Sequence, residues 1–326
     1  MVGSGPVLPT AGGPAPALPL GPLGSGPHPA PAGQDERTLG LGLVFLAALA
    51  WSTGGVLLRA VETDPWSTIF WRSLCAAATL ALFVAIRDRR DALRLFLTMG
   101  WPGLGMALCS ATASSTFVLA LQHTTVANVM LLQALAPFLA ALLAWVFLRE
   151  RVAPRTWIAM TVAFAGVGVM VSDSLGRGTL GGDLLGGIVA LAFAASTVIL
   201  RYNRHVRMAP AACLATLIAA GFALSQGASL GIAPRDLGLL AALGVGQLGL
   251  GMILYTSGAR LVPAAEAALV SNIEVILGPL WVWLAFAENP GLPTIVGGCI
   301  ILAAIVGHGL GDLRRGIGRR IAPPSG

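Results

Sequence analysis

Three side chains in this sequence carry charge inside apolar stretches and so could do chemistry there. Arg72 lies seven residues after Pro65, roughly 10 Å along a helix that starts at the proline. An arginine at the centre of a membrane helix costs about 2.5–3.5 kcal/mol on insertion scales, so Arg72 should face protein or water. Thr68, Arg72, Cys75 and Thr79 share its helix face. Two roles stay open: a contact for a substrate carboxylate or other anion, or a structural arginine paired with a carboxylate or free carbonyls. Glu274 lies eleven residues after Pro263, near the middle of its stretch. It could carry a proton or neutralise Arg72, and the two roles are compatible. Glu266 is on the same face, roughly 12 Å nearer the end, where a gate or simple solvation is expected.

Weaker polar positions surround these charges: Trp51, Ser52, Thr53, Ser110, Ser114, Ser115, Asn128, Gln133, Gln247, Tyr255 and Asn272. Polar groups in membrane helices commonly join helix to helix. Trp51, Ser52, Asn128, Gln133, Gln247, Tyr255 and Asn272 are nevertheless taken as candidate pocket residues, with Trp51 as an aromatic wall. Trp66, Trp71 and Trp101 suit the membrane interface. Glu150 and Glu288 end two stretches and are assigned to structure, while glycines such as Gly166, Gly168 and Gly244 to Gly251 allow close helix packing.

The elements that must position these residues follow from composition. Of 326 residues 56% are hydrophobic and 10% charged, with mean hydropathy +0.82; soluble domains carry about 25% charged residues. The chain reads as an all-α polytopic membrane protein. Ten apolar stretches cover about 39–58, 65–86, 95–121, 125–148, 155–172, 183–203, 209–227, 236–258, 263–286 and 293–311, each long enough to cross a bilayer as a helix. The alternating strands of a membrane barrel are missing. Residues 1–36 are rich in Pro, Gly and Ala, lack signal-peptide features and are expected to be disordered. Of the twenty arginines, sixteen fall on one side if both termini are cytoplasmic and three on the other, which favours that orientation in an inner membrane.

The same inventory excludes other functions. There is no lysine, hence no Walker A loop and no Schiff base. The net charge of +6 comes from arginines clustered between apolar runs, so nucleic acid is not expected as a partner. The four cysteines lie singly in apolar runs, and the four histidines form no metal or hydrolase motif. No metal or cofactor is expected. A membrane enzyme or an assembly factor would explain the helices but not the repeat described next.

With a shift of 138, Leu131, Trp145, Glu150 and Thr156 fall on Leu269, Trp283, Glu288 and Thr294; with a shift of 144, Gly42, Ser52 and Thr53 fall on Gly186, Ser196 and Thr197. Each half holds five stretches, so the second enters the membrane from the opposite side. Such inverted repeats typify secondary transporters, with a site between the halves near mid-membrane. The expected division is a tail 1–36, repeats 37–173 and 174–313, and an Arg-rich cytoplasmic tail 314–326.

Thr124-Thr-Val-Ala-Asn, Leu135-Ala-Pro and Leu148-Arg-Glu in the first half, with Pro263-Ala-Ala-Glu-Ala-Ala-Leu-Val, Asn272-Ile-Glu-Val, Trp283 and Glu288 in the second, resemble the EamA-type transporters of the drug/metabolite transporter superfamily. The resemblance covers about 39–312 and implies ten helices in two five-helix repeats and transport of small organic solutes, often outward. The family often has proline after the ninth-helix glutamate; Val275 stands here, so a kink is not expected at that point. The expected function is secondary export of small metabolites such as amino acids by alternating access, with the lipid bilayer and a small-molecule substrate as partners; protons and a homodimer remain open. Efflux of lipophilic or cationic toxic compounds is the alternative.

Overall fold

The computed structural model describes residues 34–89, 92–124, 126–170, 172, 179–286 and 291–321. Of the tail expected to be disordered, 1–36, residues 34–36 begin a helix; residues 1–33, the role given to Glu288 and the end of the C-terminal tail lie outside the described residues. Among the described residues every regular element is a helix: α1 (Gln34–Ser52), α2 (Gly54–Arg59), α3 (Pro65–Asp88), α4 (Ala92–Thr98), α5 (Gly100–His123), α6 (Val126–Gln133), α7 (Ala136–Leu143), α8 (Pro154–Met170), α9 (Leu180–Tyr202), α10 (Ala209–Ser225), α11 (Pro234–Ala242), α12 (Gly251–Gly258), α13 (Ala264–Ser271), α14 (Ile273–Phe286) and α15 (Leu292–Ile321). π-helical turns at Ala144–Leu148 and Leu243–Leu250 continue α7 and join α11 to α12. Seven spans among the described residues are long and apolar enough to cross a membrane, and Ala209–Ser225 and Leu292–His308 are shorter apolar helices. Large apolar side chains such as Leu82, Phe147 and Leu284 point outward, as the lipid-facing surface of a multi-pass membrane protein requires.

Local chemistry sets the helix ends. Asp64 caps α3 by accepting from the Trp66 and Ser67 amides, both at 3.0 Å, ahead of Pro65. Thr179 caps α9 through the Gly182 amide at 3.2 Å. The stretch expected to run unbroken from 95 is split, because Gly100 takes φ +58 and ends α4. The missing proline at position 275 does not leave that span straight. α13 and α14 part at Asn272, where the Asn272 amide donates to Leu269 O (3.2 Å) and the Val275 amide to Asn272 O (3.1 Å), a tightening to i→i+3 bonds. Ser271 Oγ adds to the bend by donating back to Ala267 O at 2.9 Å. The corresponding place in the first half, Ala134–Leu135, is also broken.

The packing is symmetric under exchange of the two halves. α5 packs on α9 as α1 packs on α12; α6 and α7 pack on α9 as α13 and α14 pack on α1; α10 packs on α5 as α3 packs on the π-turn Leu243–Leu250. The remaining large contacts, α3 with α10, α7 with α13 and α8 with α15, join each element to its own counterpart. Glycines permit the closest approaches: a Cβ on Gly297 would run into the Gly166 carbonyl, and one on Gly258 would lie 2.6 Å from Gly40 O.

Candidate functional site

A cavity of about 690 Å³ lies among both halves. Trp51, Ser52, Arg72, Gln133, Gln247, Tyr255 and Glu274 all line it, together with Ser114, Phe193 and Ser196. Its wall continues to one end of the molecule through Leu58, Val61, Thr63, Pro65, Gln122 and Thr294. Toward the other end, the one rich in arginine, the lining stops at Met106, Ser196 and Tyr255.

Arg72 is 2% exposed. Its Nη2 donates to Ser114 Oγ at 2.9 Å and to Ser114 O at 3.2 Å. Glu274 Oε1 accepts from Gln133 Nε2 at 2.8 Å. Among the described residues no ion pair joins Arg72 to Glu274; each charge is held by neutral dipoles. Of the two roles left open for Arg72, pairing with a carboxylate is therefore not what this conformation contains. Among the described residues, three buried polar atoms of this wall also have no hydrogen-bond partner: Trp51 Nε1, Arg72 Nε and Gln247 Oε1. Such atoms cost roughly 1–3 kcal/mol each when left unsatisfied; all three are closed to solvent, and Trp51 Nε1 packs against Gly251.

The floor is aromatic. The ring centres of Trp51 and Tyr255 are 4.9 Å apart, Phe193 and Tyr255 5.4 Å, and Trp51 and Phe193 6.0 Å. Tyr255 Oη bonds Thr197 Oγ1 at 2.6 Å. Gly251 makes the cluster feasible, since a Cβ there would collide with the Trp51 indole. Ser52 Oγ donates to Leu49 O (2.7 Å) and accepts from Trp281 Nε1 (2.8 Å), tying α1 to α14.

Three candidates lie elsewhere. Asn272 is buried at the α13–α14 break, not in the cavity lining. Asn128 Nδ2 donates to Asp183 Oδ1 (3.0 Å) and Thr124 Oγ1 (3.2 Å), at the start of α6 and away from the wall. The Asn128 side chain thus joins α6 to α9 instead of facing a solute. Glu266 sits at the arginine-rich end, where Oε2 accepts from Arg37 Nη2 at 2.6 Å and Oε1 lies 4.0 Å from His308 Nε2. Glu150, read as structural, pairs with Arg201 at 3.0 Å. Phe193 was not a candidate from sequence. Its signal is position: one turn before Ser196, the repeat counterpart of Ser52.

The model of the EamA-like transporter family matches residues 38–172 and again 180–309. The chain belongs to the EamA-like transporter family. It is a membrane transporter, not an enzyme. The chain is 26% identical over 290 residues to the pseudopaline exporter CntI of Pseudomonas aeruginosa strain UCBPP-PA14, covering 83% of this chain and 96% of the relative. It is 25% identical over 247 residues to the uncharacterised transporter YwfM of Bacillus subtilis strain 168, covering 73% and 82%. A solved crystal structure with 18% identity superposes with a TM-score of 0.73 over 85% of this chain and 99% of that one, which establishes the shared fold. The EamA-like assignment places the cavity between the family's two repeats.

Proposed function

We propose that the protein exports small organic metabolites bearing both an anionic and a cationic group, amino acids among them, by alternating access. The observation that carries this reading is the pair of opposite charges, Arg72 and Glu274, lining one cavity without pairing to each other. Arg72 receives the anionic group, beside the Trp51 ring. Glu274 receives the ammonium, with Gln247 in the same wall, and takes up a proton when no cation is present. Ser52, Gln133 and Tyr255 shape the pocket. Asn128 and Asn272 sit at the helix starts and breaks that frame it, and Glu266 ties α13 to α1 at the arginine-rich end.

Ten crossings in two inverted repeats, 37–173 and 174–313, with both termini in the cytoplasm of an inner-membrane protein, fit the arginine distribution. In that orientation the cavity faces outward. The name of the relative in Pseudomonas aeruginosa supports export of a small metabolite. The aromatic floor favours a second reading, efflux of lipophilic cations, through ring faces that attract positive charge.

Flux from proteoliposomes loaded with amino acids and organic cations decides between them. Intact protein should release a zwitterionic solute, and Arg72→Ala and Glu274→Gln should each cut that flux at least tenfold while the protein remains folded. Undiminished flux in both variants would remove the charges from the site. Release of cations alone, independent of Arg72, would favour the second reading.

A further inference from the structure

Among the described residues three ion pairs bridge the halves at the arginine-rich end, Arg37–Glu266, Arg201–Glu150 and Arg207–Asp88, and the symmetry of the fold separates the roles of the first two. Arg37 is three residues past the start of α1, and Glu266 two past the start of α13. At the opposite end the corresponding pair of elements, α9 and α6, is joined near its starts by Asp183 and Asn128, which bond each other at 3.0 Å. This contact is therefore made at both ends of one conformation, whether or not the cavity opens there. A contact present at the open end as well as the closed one does not distinguish the two ends.

Arg201 behaves differently. It is 5% exposed and one residue before the end of α9. Its Nε donates to Glu150 Oε1 at 3.0 Å, and its Nη1 donates to Arg260 O at 3.1 Å, just past α12. One side chain thus joins the second half's α9 and α12 to the loop after Leu148 in the first half. Arg201 follows the floor residue Ser196 by five residues, roughly 8 Å further along the helix. At the open end the shift of 144 places Leu57 opposite Arg201, beside Leu58 near the end of α2. The end of α5, counterpart of the end of α12, carries Leu121 and Gln122. Leu58, Leu121 and Gln122 all line the cavity there. Where Arg201 closes one end, the corresponding helix ends at the other border open space.

We propose that Arg201 is the latch of the arginine-rich end: it holds α9, α12 and Glu150 together while the cavity faces the other way, and lets go when the protein turns. Arg37–Glu266 is a fixed clamp between α1 and α13. This inference rests on the alternating-access reading above. A pair whose arginine is buried suits a latch, because leaving that charge unpaired is costly unless water enters with the opening, which sets a barrier between the two states.

The test is side-resolved labelling in vesicles of known orientation. Cys75, Cys109, Cys213 and Cys299 are replaced by serine, Ser196→Cys supplies the reporter at the floor, and a membrane-impermeant maleimide is added from one side at a time. Labelling from the arginine-rich side should rise at least fivefold in Arg201→Gln and in Glu150→Gln, and fall back in Arg201→Glu combined with Glu150→Arg. Arg37→Gln should leave it unchanged. If Arg201→Gln does not fold, Glu150→Gln alone decides. Unchanged labelling in a folded Glu150→Gln, or an equal rise in Arg37→Gln, overturns the latch. Solute flux by the protein without the reporter is measured alongside. Flux with unchanged labelling sinks the latch and keeps transport; loss of all flux from the unmutated protein sinks the transport reading itself.

Discussion

A tryptophan ring is held against the cavity by the absence of a single carbon atom. Trp51 shares its place with Gly251, and a methyl group on residue 251 would collide with the indole. The ring is rigid, so it must swing out of contact with Tyr255 and Phe193. Gly251→Ala should therefore raise the solute concentration needed for half-maximal flux at least fivefold and quench or shift the Trp51 fluorescence response to solute. Gly246, by contrast, has open space around its Cβ position, and Gly246→Ala should leave both unchanged. Equal behaviour of the two variants would detach Trp51 from binding. At this scale the sequence was readable where charge was concerned: an arginine and a glutamate far inside apolar spans had to reach water or protein, and both reach the cavity. Asn128 was not separable from pocket residues, because an amide that bonds another helix and one that faces a solute look identical along the chain.

Elements were legible through capping and punctuation. Asp64 followed by Pro65 marks the start of α3, and the carboxyl accepts the two amides expected of a cap. Burial works against its charge, yet hydrogen bonds from the Ser67 side chain and from the Ser67 and Trp66 amides hold the group below the usual carboxylate value. A carboxyl whose affinity for protons is lowered by folding stabilises the folded state above its unfolded pKa and loses that contribution as pH falls through the folded one. Asp64→Ala should therefore cost about 1 kcal/mol at neutral pH, read as a lower thermal midpoint in detergent. The gap to intact protein should narrow as pH falls through the lowered pKa of Asp64. A gap that persists at acid pH would mean that packing, not the cap, was lost. The break at Asn272 escaped the sequence because it has no proline. It is made by backbone bonds shortened to i→i+3 and by Ser271 turning back on its own helix, features that a hydropathy pattern does not encode.

On the scale of the molecule, the repeat predicts which helices meet which, and the pairing of each element with its counterpart follows from exchange of the halves. The α8–α15 pair is the clearest test of how that symmetry distributes work. These helices meet through Gly166 and Gly297, so closely that any side chain on Gly297 would strike Gly166 O and the Met170 backbone. Thr156 Oγ1 and His308 Nε2 bond at 3.0 Å between the same two helices, in the interior. Only Met170 and Thr294, at their ends, reach the cavity lining. The pair thus supports the fold and leaves recognition to the helices that carry Trp51, Arg72, Gln247 and Glu274. Overpacking a tight contact typically costs about 1–3 kcal/mol. Gly297→Leu should lower the thermal midpoint measurably while the concentration dependence of flux per folded molecule stays within twofold of intact protein. A change of tenfold or more in that dependence would show that α8 and α15 move with the cavity, and that the two halves turn about a contact other than this one.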